Sequence, residues 1–240
     1  MPTTLLTAPK DSHAIHANWQ REAVESFHSR MDASTNDFPC IFGIEAVVRN
    51  ALRYAFVGAD GDPAESLAAA LEEFTSIAES LGRRTSLVCF FETWAEAKTH
   101  DAYFDYFWNL LKRVSELDTS SWPDGVSRAT NDSSFEFSFN GQAMFVVVNT
   151  DIHDRRRSRS FERVAVTFQP RFVFDDLREG TPRGDSAREI IRQRLAAYDD
   201  APVTALLGSF GDPKNREWQQ YYLDDGDASQ MPGKCPVAHF

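Results

Sequence analysis

The sequence predicts an α+β fold, a single domain in which helices flank a central mixed β-sheet. Two apolar runs of strand length, Leu52 to Val57 and Thr85 to Phe91, enclose a segment of helical periodicity. Asn140-Gly141 joins two further strand-like runs and is the strongest short hairpin signal in the chain. No composition shift resembles a domain linker, so one domain is expected over residues 13–240, after a loose arm at 1–12.

Each element has a local cause. Residues 13–31 repeat apolar side chains at helical spacing through Ile15, Trp19, Val24 and Phe27. Residues 33–40 read as a turn-rich link, because Pro39 fixes its own φ and biases Phe38 towards extended backbone. The strand Leu52 to Val57 ends at a Gly/Asp-rich turn. Asp62 is then placed to cap a helix that starts at Pro63, carries Leu67, Leu71, Phe74 and Ala78 on one side, and runs to about Leu81. Gly82 suits the residue just past its end. The unbroken apolar run to Phe91 predicts a strand buried on both faces.

An aromatic-rich helix follows over residues 99–117. Phe135 to Phe139 alternates, Ala143 to Val148 is its return strand, and Val164 to Phe168 is a last strand stopped by Gln169-Pro170-Arg171. Residues 185–198 form a helix expected to bury Ile190, Ile191 and Leu195. From about residue 200 the chain is rich in Pro, Gly and Asp, with Tyr221 and Tyr222 as exposed aromatics on which a homodimer is possible.

Composition narrows the function. Of 240 residues 42% are hydrophobic, enough for a sizeable core, and nineteen Phe suggest a thick aromatic core, an apolar pocket, or both. A net charge of −11 argues against a nucleic-acid binder, which needs clustered positive charge. Three cysteines, Cys40, Cys89 and Cys235, make no disulfide framework. No leader pattern opens the chain, and no apolar run approaches the roughly 20 residues of a membrane span, so a soluble cytoplasmic protein is expected. The phosphate-loop, dinucleotide, serine-hydrolase and zinc-protease signatures are missing.

The chemistry-bearing stretch is Asn149 to Arg159. It delivers His153 and the arginines 155, 156, 157 and 159 directly from an apolar strand. Histidine is the commonest metal ligand, and arginine is the preferred partner of carboxylates. The set suits an anionic cofactor such as a haem with two propionates. The commoner meaning of such a set is a histidine that closes the strand-to-loop turn, beside a solvated basic loop. Read as extended, the segment puts Arg155, Arg157 and Arg159 on one side and Arg156 on the other. Cys235, before Pro236, is a second candidate for haem iron or part of a loose terminus, with His239 as a weaker rival. Cys40 reads as a packed small residue and Cys89 as core.

These segments also carry a resemblance. Phe38-Pro39-Cys40, Leu52-Arg53-Tyr54-Ala55-Phe56, Asn149-Thr150 with His153 and Arg156-Arg157-Ser158-Arg159, and Phe168-Gln169-Pro170-Arg171 resemble the YqcI/YcgG family. So do Glu217-Trp218-Gln219-Gln220-Tyr221 and Cys235-Pro236, and the matches run over residues about 38–236. The family typically closes at Cys-Pro-Phe, from which Cys235-Pro236-Val237-Ala238-His239-Phe240 departs slightly.

The resemblance implies a haem-dependent N-oxygenase that hydroxylates a guanidine nitrogen of L-arginine, in a natural-product pathway such as that of D-cycloserine. It implies haem b but not the ligand; His153, on a rigid hairpin beside the arginines, is the expected iron ligand, with Cys235 as runner-up. Arg156, Arg157 and Arg159 would meet the propionates, and Glu136, Asp151 and Glu217, with Asp212 behind them, the cationic ends of arginine. O2 and a separate reductase, or peroxide, complete the expected partners, since no flavin or NAD fingerprint is present. A haem sensor or carrier, or a non-catalytic ligand-binding protein, is the alternative.

Overall fold

The structure is a computed structural model that describes residues 17–32, 34, 38–177, 180–208, 212, 214–226 and 237–240. Five strands, β1 (Leu52–Val57), β2 (Ser86–Phe91), β3 (Phe137–Phe139), β4 (Gln142–Asn149) and β5 (Ala165–Pro170), form one mixed sheet in the order β1-β2-β5-β4-β3. The β1–β2 pair is parallel and the other pairs are antiparallel. The helices are α1 (Asn18–Arg30), α2 (Ile41–Val48), α3 (Pro63–Ile77), α4 (His100–Leu117) and α5 (Pro182–Tyr198). None of them is long and apolar enough to cross a membrane.

The expected caps form. Asp62 accepts the amide of Ala64 at 2.9 Å, and Pro63 opens α3, which tightens into a 3-10 turn over Ala78–Leu81. Gly82 then takes a φ of +107°, open to glycine at little steric cost. Asn140 and Gly141 both have positive φ, as the tight β3–β4 turn requires. Every residue of β2 is buried.

Alternation divides the strands between two faces. Leu87, Cys89 and Phe91 of β2, with Val146, Val148 and Phe168, join α3 and α4 in the main core around Phe74, Phe107 and Trp108. Tyr54, Val88, Phe90 and Ala165 face the other way, against Val24 and Phe27 of α1 and Phe161. Phe27 meets Tyr54, Phe90 and Phe161 edge-on at centroid distances of 6.2, 5.8 and 5.9 Å.

Four expectations need correction. No element is expected between the link ending at Cys40 and β1, yet α2 forms there. Seven of its eight residues are apolar and only Glu45 is charged, and its cap is a cysteine rather than Ser, Thr, Asp or Asn, so neither periodicity nor capping announces it. β5 runs on to Pro170, which pairs with Met144. Beyond Phe168 the strand has a neighbour on one side only, where a missing N–H is tolerated. In α5, Ile190 is exposed, and the fully buried positions are Gly184 and Ala187. Tyr221 and Tyr222 are buried in the main core, so they offer no dimer surface. The arm at residues 1–12 lies outside the described residues.

Phe168→Ala empties a fully buried site at the centre of the sheet. It should destabilise the protein by about 3–5 kcal/mol, read as a lowered urea midpoint. Val48→Ser, on an exposed side chain, should stay within about 0.5 kcal/mol.

Candidate functional site

The second face of the sheet does not close. Between it and α1, α2 and α5 lies a cavity of about 290 Å³. One wall is built by alternate strand residues, among them Val88, Phe145, Val147, Asn149, Thr167 and Gln169. The other brings Phe27, Phe42, Ile191 and Leu195 from the helices and Phe38 from the segment before α2. Charged side chains that reach it are Arg30, Arg156, Arg159, Arg188, Arg192 and Glu217.

The loop after β4 does not stay extended. It closes a 3-10 turn over Arg157–Arg159, with the Thr150 amide donating to the Arg159 carbonyl at 2.9 Å. Side chains three apart eclipse in such a turn. Arg156 and Arg159 are therefore buried together, while Arg155 and Arg157 are exposed, which replaces the alternation expected from the sequence. Arg157 lies over the Tyr198 ring, 4.9 Å from its centroid, and outside the cavity wall.

The two buried guanidinium groups are held by backbone carbonyls. Arg156 donates from Nε to Asp224 O at 2.7 Å and from its terminal nitrogens to Pro202 O and Gly226 O, both at 3.3 Å. Arg159 donates to Tyr221 O at 3.1 Å and Gln220 O at 2.9 Å. Among the described residues neither has a carboxylate at ion-pair distance. Burial first, then the neighbouring Arg156, pushes the Arg159 guanidinium down to about 10.

His153 is buried beneath the same loop and is not part of the cavity wall. Its Nε2 lies 2.6 Å from the Leu223 carbonyl, so that nitrogen donates. Its Nδ1 lies 2.6 Å from Thr150 Oγ1 and accepts the hydroxyl proton. Burial, with His100 adding to it at a ring-centroid distance of 4.9 Å, lowers its pKa to about 4 and keeps the ring neutral. To ligate a metal, His153 would first have to give up one of these bonds.

The acidic candidates part company. Asp151 is tied to Lys98 Nζ at 2.6 Å and to the Tyr103 hydroxyl at 2.9 Å, away from the cavity. Asp212 caps a turn through the Lys214 amide at 2.8 Å. Glu136 and Glu217 come together instead. Glu136 is buried and paired with Arg171 at 2.6 Å. Glu217 stands on a 3-10 turn, Glu217–Gln220, and lines the cavity. Burial, then the charge of Glu217, raises Glu136 to about 8 against the pull of Arg171. Burial raises Glu217 to about 7, again opposed by Arg171.

Cys40, read from the sequence as a packed small residue, belongs to the cavity wall. Its sulfur accepts the Gly43 amide at 3.3 Å as the N-cap of α2 and lines the cavity. Cys235 lies outside the described residues, and His239 is exposed beside Ala129. Among the described residues no three His, Cys, Asp or Glu side chains group to hold a metal ion, whereas haem iron needs one protein ligand.

Folding traps the two glutamate protons that an unfolded chain loses near 4.5. The folded state binds more protons from about 4.5 to about 8, so this pair makes stability fall as pH rises through that window. His153 acts in the opposite sense. Its folded form resists the proton that the unfolded form takes near 6.5, so its contribution falls as pH drops from 6.5 towards about 4. Urea midpoints measured across pH should show a smaller decline on the alkaline side in Glu136→Gln/Glu217→Gln than in the parent.

The profile described as the YqcI/YcgG family matches residues 27–238. The chain is 40% identical to the uncharacterized protein YcgG of Bacillus subtilis (strain 168), over 92% of this chain and 88% of the relative. It is 38% identical to the uncharacterized protein YqcI of the same organism, over 91% and 87%. It is 31% identical, over 91% and 83%, to the Streptomyces lavendulae protein DcsA, provisionally named an Nω-hydroxy-L-arginine synthase. No solved structure matches the chain.

Proposed function

The chain belongs to the YqcI/YcgG family, and from that premise we propose that it is an arginine-modifying enzyme, a haem-dependent N-oxygenase of a guanidine nitrogen of L-arginine. The observation that carries this reading is Glu217, a carboxylate on the wall of an otherwise apolar and cationic cavity. Among the described residues its carboxylate has no hydrogen bond or ion pair within the protein, so a cationic ligand can complete it. Similarity to the provisionally named arginine-hydroxylating DcsA points the same way.

The cavity fits a haem in its chemistry. Apolar walls suit the macrocycle, and Arg156 and Arg159 would hold propionates. Haem b, when bound, supplies the activation of O2 or peroxide that an N–H to N–OH conversion requires. With O2 the balance takes two electrons and two protons and releases one water, so a separate reductase is part of the proposal; peroxide needs no donor.

The protein does the rest. Glu217 accepts N–H bonds from the substrate guanidinium and fixes which end of arginine faces the reacting centre. Glu136 and Arg171 position Glu217 through charge, from behind the cavity wall. Phe145, Val147, Phe27 and Phe42 keep water out, which strengthens each charged contact inside.

Purified protein supplied with haem should convert L-arginine into a product one oxygen atom heavier, seen by mass spectrometry, with a reductase and O2 or with peroxide. Glu217→Gln should lower kcat/KM by about 10- to 100-fold, mostly through KM. Haem uptake with arginine left intact would favour a sensor or carrier. A protein that stays colourless with haem supplied would favour non-catalytic ligand binding.

A further inference from the structure

We infer that Cys40, rather than His153, is the protein ligand to the iron of a haem in this cavity; the inference rests on the haem reading proposed above. Four side-chain types commonly hold haem iron: His, Cys, Met and Tyr. Among the described residues the cavity wall presents Cys40 and Met31, and neither a histidine nor a tyrosine. His153 lies off the wall with both ring nitrogens bonded inside the protein. Cys89 is sealed in the core on the opposite face of the sheet.

Cys40 is built to present its sulfur. As N-cap of α2 it sits at the positive end of a helix, and the Gly43 amide donates to Sγ at 3.3 Å. Gly43 also leaves the sulfur uncovered. A Cβ at that position would stand 3.4 Å from Cys40 Sγ and 3.5 Å from Met31 Sδ, so a side chain there would cover both. Thiolate is the stronger iron ligand of the two sulfurs.

A separate observation points to an anionic ligand in the same space. Arg156 and Arg159 are both more than nine-tenths buried, line the cavity, and are met by carbonyls alone among the described residues. Two buried cations with no carboxylate at ion-pair distance among the described residues favour a dianionic guest over a neutral one. Arg159 also favours the thiolate form of Cys40, although burial outweighs it and keeps the free thiol protonated. On iron binding the Fe–S bond forms, the S–H bond breaks, and the proton leaves to solvent. No electrons are exchanged.

The test is the absorption and electron paramagnetic resonance spectra of the full chain reconstituted with haem, then reduced and exposed to CO. Thiolate ligation gives a strongly red-shifted ferrous–CO Soret band. The inference expects that band in the parent, in His153→Ala and in Cys235→Ser, and its loss in Cys40→Ser. Serine is itself a good N-cap, so this variant should keep α2, checked by circular dichroism. Should it fail to fold, the chain has only three cysteines: a thiolate band that survives Cys89→Ser and Cys235→Ser still assigns Cys40.

A parent spectrum of imidazole type, or a thiolate band that vanishes in Cys235→Ser, overturns the ligand assignment and leaves the haem reading standing. No Soret band in the parent overturns both.

Discussion

Two positive charges taken out of water, on Arg156 and Arg159, organise half of this molecule. Desolvating a guanidinium carries a penalty of several kcal/mol unless its protons find acceptors. Among the described residues the acceptors are carbonyls of residues 202, 220, 221, 224 and 226. A charge-assisted bond of this kind contributes about 1.5–3 kcal/mol. The segment after residue 200 has little regular structure of its own, yet these bonds pin it against the loop that follows β4. Asp225 completes the clasp by accepting the amides of Asp154 and Arg156, each at 2.7 Å.

That clasp carries the aromatic core with it. Tyr221 O accepts the Val148 amide at 3.0 Å as well as a proton of Arg159, which extends β4's pairing into the late segment. The Tyr221 ring stacks on Trp108 at 5.9 Å, and its hydroxyl donates to Met144 O and accepts the Phe137 amide. The same turn delivers Glu217 to the cavity wall. Fold stability and site geometry thus share one set of bonds. On the other face, Asn149, Thr167 and Gln169 interrupt what would otherwise be apolar sheet, and the helices above leave that region open.

The sequence announces whatever is local. Strands β1 and β2, the capped helix α3, the aromatic helix α4 and the Asn140-Gly141 hairpin each follow from a few neighbouring residues. The sheet's mixed character follows from their order. Helix α2 stays hidden because its cap is a sulfur and a single charged residue, Glu45, marks no polar stripe. The arginine run is misread by assuming extended backbone, when a 3-10 turn pairs positions three apart. Tyr221 and Tyr222 look exposed because burial there depends on Arg159 and Trp108, far away in the chain. Glu136 and Glu217 are legible as candidates, but their meeting at Arg171 is not. The cavity is assembled from strands, helices and loops that no short window contains, so Cys40 could be placed on its wall only by the fold.

The strand order has a kinetic consequence. β5 is the last strand in the chain, yet it lies between β2 and β4, with β4 already paired to β3 by a tight turn. The parallel β1–β2 unit and the β3–β4 hairpin can each form early, but until β5 arrives both display an unpaired, strongly apolar edge. Loop-closure entropy opposes the two long-range pairings that β5 must make at once, so the sheet belongs to the slow-folding, non-local class. During synthesis the ribosome holds back the one strand that joins the halves, and the waiting edges are templates for pairing with other chains. Slow insertion of β5 is therefore expected to lower expression yield, a property on which the finished site's chemistry has no bearing.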